Sequence, residues 1–282
     1  MQKKIKQFFL IVFLFLISGL GKLNAQYTED YYYQLGNSSF SGGDFNTAVK
    51  YYSEMIKINP SNPIGYERRA VCYQFLKDYQ NALSDYSTAI TLDRNYFLAL
   101  INRASLYSLL GNFQDAISDY TRAVGINPSD PQGYIGRGVV YMKTGNLGAA
   151  LSDFNSAITI DPFNSEAFRD RGDAYYFSNN DSGAVHDLDK SIELNPSNAQ
   201  SYCDRGSIYY HLNNFNQSLK DFNKAIELSS SNADYYYRRG FVLYDLGKYD
   251  LALNDFNTAQ QINPDYRDKV KEIIQDIKLK IR

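Results

Sequence analysis

Small and large apolar residues recur along this chain on a period of 34. Units opened at Glu29, Pro63, Phe97, Pro131, Ser165, Ala199 and Ala233 run on without a residue left over as far as Tyr266. In each, the eighth position is small (Gly36, Ala70, Ala104, Gly138, Gly172, Gly206, Gly240), and so is the twentieth (Ala48, Ala82, Ala116, Ala150, Ala184, Ser218, Ala252). The twenty-fourth is large: Tyr52, Tyr86, Tyr120, Phe154, Leu188, Phe222 or Phe256. Small residues at these spacings let two helices approach closely, and the large one fills the space beside them. Gly43, Gly111, Gly145 and Gly247 fall between the two halves, and Pro60, Pro128, Pro162, Pro196 and Pro264 close the second. Each unit is therefore predicted to be an αα-hairpin, and a strict period of this length marks a unit stacked along a solenoid.

The expected boundaries are 29–62, 63–96, 97–130, 131–164, 165–198, 199–232 and 233–266. Beyond them Val270, Ile273, Ile274, Ile277 and Ile281 recur at helical spacing, with Lys278, Lys280 and Arg282 at the end that favours positive charge. A terminal repeat needs its open face covered, so 267–282 reads as a capping helix.

Two polar columns run through the apolar pattern. Position seven is Arg69, Arg103, Arg137, Arg171, Arg205 and Arg239, and position 23 is Asp85, Asp119, Asp153, Asp187, Asp221 and Asp255. The first unit lacks both, having Leu35 and Tyr51. Joint presence and joint absence predict an ion pair between the two helices of one hairpin. A matching acid in every copy favours a structural ladder, with the arginine stem packed in the hairpin, over a ligand-binding arginine row.

The string YIGRGVVYMKTGNLGAALSDFNSAITIDP, from Tyr134 to Pro162, closely resembles a tetratricopeptide repeat, and the resemblance extends over 29–266. Arg94 and Ser230 depart from it by replacing the terminal proline, and Asp181 and Leu188 by replacing aromatics. The resemblance implies an all-α, right-handed α-solenoid superhelix whose first helices line a concave groove for peptides or partner proteins. Some members carry a Lys, Asn and Arg clamp there for the acidic carboxyl tails of chaperones. This chain instead has Tyr33, Asn37, Arg68, Leu98 and Asn102 in one such window and Asp170, Asp204 and Asp234 in later ones, so chaperone-tail binding is not expected. Position twelve ends in Tyr176, Tyr210 and Tyr244, with Phe177, Tyr237 and Phe241 beside that row and Arg169, Asp173, Asp204, Arg238 and Asp245 supplying charge. This is the candidate partner-binding strip, because tyrosines give large contact area and charges fix register. The competing reading is that the tyrosines pack between neighbouring first helices.

Composition narrows the field further. Lys3, Lys4 and Lys6 precede an apolar run from Phe8 to Ile17, and small residues lead to Ala25, an arrangement that predicts a signal peptide over 1–25 and a mature chain from Gln26. The expected location is therefore the periplasm or cell envelope, with no integral span after cleavage. Removing Lys3, Lys4, Lys6 and Lys22 takes four of the 29 basic residues and none of the 31 acids, leaving a net charge of −6, a poor match for nucleic acid. Cys72 and Cys203 stand in the second and sixth units, too far apart to be bridged. His186 and His211 have no partner at metal-ligand spacing, and no nucleotide, hydrolase or zinc motif occurs. We expect no metal, cofactor or catalytic site, and a non-enzymatic scaffold that binds a protein or peptide. A glycan- or peptidoglycan-binding module using the tyrosines is the alternative, weakened by the absence of tryptophan.

Overall fold

The computed structural model describes residues 28–281, so the leader-like segment at 1–25, the cut before Gln26 and the last residue of the expected cap lie outside it. All regular secondary structure among the described residues is α-helical. The chain divides into two units, one ending at Pro128 and the other starting at Ser129. The first holds α1 (28–41), α2 (Phe45–Ile58), α3 (Pro63–Phe75), α4 (Tyr79–Leu92), α5 (Phe97–Leu109) and α6 (Phe113–Ile126). The second holds α7 (Pro131–Lys143), α8 (Leu147–Ile160), α9 (Ser165–Phe177), α10 (Asp181–Leu194), α11 (Ala199–His211), α12 (Phe215–Leu228), α13 (Ala233–Asp245), α14 (Tyr249–Ile262) and α15 (Tyr266–Lys280).

Local chemistry sets these boundaries. Asn62, Asn164, Asn198 and Asn232 cap first helices, and Asp44, Asp78, Asn146, Asn180 and Asn214 cap second helices, each side chain accepting from a backbone N–H of the first turn. The turn inside each hairpin needs one left-handed residue. Gly43, Gly111, Gly145 and Gly247 supply it, while Lys77, Asn179 and Asn213 adopt the same conformation at φ 61°, 58° and 57°. A bond such as Asp78 N–H to the Tyr73 carbonyl then closes the first helix.

Packing follows the small and large positions. A Cβ on Gly138 would stand 2.7 Å from the Phe154 ring, and one on Gly240 2.7 Å from the Phe256 ring, so glycine is what lets the helices meet there. Each hairpin also packs on the next within its unit, α2 on α3 and α4 on α5 in the first, α8 on α9, α10 on α11 and α12 on α13 in the second. Helix α15 lies against α14, burying Val270, Ile274 and Ile277 with Phe256 and Ala252. Both cysteines are buried and free. No helix among the described residues is long and apolar enough to cross a membrane.

Candidate functional site

The six arginines of position seven each meet the aspartate of their own hairpin in a two-pronged contact. Arg69, Arg103, Arg137, Arg171, Arg205 and Arg239 lie 2.6 to 2.8 Å from Asp85, Asp119, Asp153, Asp187, Asp221 and Asp255. In Arg69, for example, Nε donates to one carboxylate oxygen of Asp85 and Nη2 to the other. Aromatic rings flank the guanidinium within the same helix, as Tyr66 and Tyr73 do for Arg69 and Tyr202 and Tyr209 for Arg205. Nη1 has a further partner that the two columns do not reveal. It reaches back to the second helix of the preceding hairpin, to Ser53 from Arg69, Ser87 from Arg103, Asn155 from Arg171, Asp189 from Arg205 and Asn223 from Arg239. The arginine thus joins neighbouring hairpins as well as the two helices of one, and the first hairpin, which lacks it, has no predecessor among the units. These charges are occupied by the frame and leave little for a ligand.

The face formed by α9, α11 and α13 is different. A cavity of about 400 Å³ opens there, walled by Tyr176, Tyr210, Tyr237, Phe241 and Arg238 together with Ser207, His211 and Phe222. Helical spacing places its polar groups: Asp173 and Tyr176 are one turn apart on α9, and Asp204 and Ser207 one turn apart on α11. Arg238 donates through Nε to Asp234 (2.5 Å) and through Nη1 to Ser207 (3.2 Å). Tyr210 donates to Asp245 (2.6 Å), and the Tyr176 ring meets His211 edge-on at 5.8 Å. Arg169 is drawn to Asp170 (2.6 Å), with Glu166 at 3.8 Å. Burial pushes the Asp170 carboxyl up, opposed by Arg169.

The sequence-nominated strip is thus only partly gathered. Tyr176, Tyr210, Tyr237, Arg238 and Phe241 share the cavity. Phe177 does not line it: its ring stands 5.8 Å from that of Tyr176 and is 61% exposed. Tyr244 turns toward α15, donating to Asp276 (2.5 Å) and taking Lys280 over its ring at 4.4 Å, so it fastens the last helix. Arg169 and Asp173 adjoin the cavity without lining it. Ser207 and His211 are not singled out for this strip by sequence, because a serine and a lone histidine carry no pattern of their own; their i, i+4 spacing, one turn apart on α11, is the signal that would have found them. Among the described residues no group of three or more His, Cys, Asp or Glu is arranged to hold a metal ion.

Stacked helical hairpins with aromatic and charged groups gathered on their first helices define a helical-repeat protein. Family models described as "Tetratricopeptide repeat" match 29–62, 65–96 and 131–164, and 97–130 and 233–266, and one described as "TPR repeat" matches 172–212 and 206–247. The chain belongs to the tetratricopeptide-repeat family. Curated relatives include Hsp70-Hsp90 organizing protein 1 of Glycine max, 41% identical over 44 residues, and stress-induced-phosphoprotein 1 of Caenorhabditis elegans, 42% identical over 45. Each alignment covers 16% of this chain and only 8% and 14% of those relatives. Among solved structures, a tetratricopeptide repeat protein from Parabacteroides merdae superposes with a TM-score of 0.70 at 22% identity, covering 90% of this chain and 99% of that one. The Cut9–Hcn1 hetero-tetramer of the APC/C gives 0.72 at 16% identity, covering 88% of this chain and 46% of the other. At these identities the likeness concerns the fold.

Proposed function

We propose that the protein is a non-enzymatic scaffold of the cell envelope that holds an extended segment of a partner protein on the α9, α11 and α13 face. The observation that carries this reading is the aromatic cavity, which groups Tyr176, Tyr210, Tyr237 and Phe241 with Arg238 on one surface. Rigid aromatic walls with a few fixed polar groups suit a peptide anchor. Family membership supports protein binding as the general role, and the leader pattern at 1–25 supports the envelope location. The short stretch shared with Hsp70-Hsp90 organizing proteins raises chaperone binding as a rival. The aspartates on this face argue against an acidic tail as its occupant.

The test is crosslinking capture from intact envelopes with the wild type and a Tyr176→Ser/Tyr210→Ser variant; Tyr244 is left alone because it anchors α15. The variant should lose the captured species while its melting transition stays within a few degrees of the wild type. Retained capture together with a large drop in melting temperature assigns these rings to packing. Protein beginning at Gln26 in the envelope fraction supports the location, and protein retaining Met1 opposes it.

A further inference from the structure

The α9, α11 and α13 face carries more negative charge than it neutralises. Apart from the ladder arginines, each bound to its own aspartate, these helices bear Glu166, Asp170, Asp173, Asp204, Asp234 and Asp245 against Arg169 and Arg238. Both of those arginines are engaged, Arg169 by Asp170 at 2.6 Å and Arg238 by Asp234 at 2.5 Å. Asp173 and Asp204 are left without an ion-pair partner among the described residues. Asp204 receives one hydrogen bond, from Gln200 to Oδ1 at 2.7 Å, while its Oδ2 is closed to solvent and has no partner. Such an atom costs free energy as it stands, and an arriving cation would recover it. The two carboxyls also oppose each other. Burial and then the charge of Asp204 push Asp173 up to about 8, and burial pushes Asp204 up to about 6 against the pull of Gln200, Arg169 and Arg238.

Tyr176 stands one turn beyond Asp173 on α9 and Tyr210 nearly two turns beyond Asp204 on α11, and with Phe241 of α13 they wall the cavity. Ring faces attract cations, and an apolar wall beside an anionic end suits a long side chain with a charged tip. The remaining acids, Glu166 and Asp245, extend the negative field along the face and would draw in a basic segment.

We propose that this face receives a lysine or arginine side chain from a partner polypeptide, its aliphatic stem lying across Tyr176 and Tyr210 and its charge directed to Asp173 and Asp204. The inference rests on the reading of this face as a protein-binding surface. It sharpens that reading to a basic partner segment.

The experiment pans displayed random peptides against the full-length protein and follows the selected peptides by fluorescence anisotropy. Selected sequences should be rich in Lys and Arg and poor in Asp and Glu. Their affinity should fall at least about tenfold, ~1.4 kcal/mol, for an Asp173→Asn/Asp204→Asn variant, and by a similar factor when the peptide's basic residues become Gln. That variant should melt no lower than the wild type, because it replaces two buried carboxyls that lack ion-pair partners, one of them holding a proton at neutral pH, with uncharged amides. Selection of acidic peptides, or equal binding of basic ones by the Asn variant, overturns the proposal while leaving a protein-binding face. Peptides that bind a Tyr176→Ser/Tyr210→Ser variant as well as the wild type overturn the underlying reading too. Self-association of the free protein that the Asn variant abolishes replaces the partner by the basic α15 of a second copy, and overturns the proposal in that way.

Discussion

The two units share a frame and part company on their first helices. In the first, Arg69 and Arg103 hold Asp85 and Asp119 at 2.7 Å; in the second, Arg205 and Arg239 hold Asp221 and Asp255 at the same 2.7 Å. The cavities beside these ladders differ. One in the first unit, about 340 Å³, is lined by Val71, Gln74, Phe75, Asn102 and Leu109 with two tyrosines, and no acid or base; another, at the first hairpin, which has no ladder pair, includes Glu29 and Asp30. A buried acid of this unit, Glu67, also has one oxygen without a hydrogen bond, Oε2, but Arg68 pairs with it at 3.4 Å and Asn102 donates to Oε1 at 3.0 Å. In the second unit the corresponding region leaves Asp173 and Asp204 facing each other. Charge in the frame is matched pair by pair, whereas Asp173 and Asp204 have no ion-pair partner among the described residues, which is why the proposed basic partner is directed to them.

The largest effect should come from breaking the frame. Arg205→Ala strands Asp221, whose side chain is 3% exposed, and should cost about 3 kcal/mol or more in urea unfolding. Arg69→Ala strands Asp85, at 9%, and should cost less. Equal losses would mean that the frame is uniform to a finer degree than its burial suggests, and no loss in either unit would return the arginines to the list of ligand groups.

A smaller effect separates the units by pH. Asp173 faces Arg169 and Asp170 on its own helix, Asp204 on α11 and Arg238 on α13, and its folded pKa of about 8 stands above the ordinary 3.8. Between those values the unfolded chain has already released the proton that the folded chain retains, so stability falls as pH rises from about 4 to about 8. Hydrogen exchange should show this slope in the second unit and lose most of it in Asp173→Asn. Glu67, also raised by burial but opposed by Arg68 and Asn102, should give the first unit a shallower slope of the same sign. A steeper slope in the first unit would break the comparison.

The smallest effect belongs to a turn. Lys77 holds the left-handed position that Gly111 holds in the next hairpin of the same unit, so Lys77→Gly should raise stability by at most about 1 kcal/mol. A melting temperature that falls instead would show that the lysine side chain contributes more than its backbone costs.

The helical hairpins are legible in the sequence because close packing forces small residues at fixed intervals, and only size is tested at Gly36, Ala70 and their equivalents. The ladder columns are legible because two residue types vary together. Its third contact is not, since Ser53, Ser87, Asn155, Asp189 and Asn223 share only an oxygen able to accept a hydrogen bond. The left-handed turn is disguised for a similar reason: Lys77, Asn179 and Asn213 meet the requirement without being glycine. Tyr244 illustrates the limit of periodic reasoning. Its column places it with Tyr176 and Tyr210, but its neighbour on one side is α15, which follows no repeat, and Asp276 and Lys280 claim it. The uncompensated acids are visible in sequence as letters, yet only geometry shows that Arg169 and Arg238 are already taken.

The arginine ladder also gives the chain an order of assembly. Arg69 lies 16 residues after Ser53 and 16 before Asp85, and Arg205 stands in the same relation to Asp189 and Asp221. On a ribosome, the arginine emerges after the helix behind it has left the tunnel and while its own aspartate, 16 residues on, is still inside. It can dock backward first and be locked by the carboxylate one helix later. Growth then proceeds hairpin by hairpin over short loops, each step needing only what has already left the tunnel. Truncating such a chain from its carboxyl end removes late arrivals and leaves the earlier hairpins with the contacts that formed them, whereas removing hairpins from the amino end takes away the surface on which the next one was built.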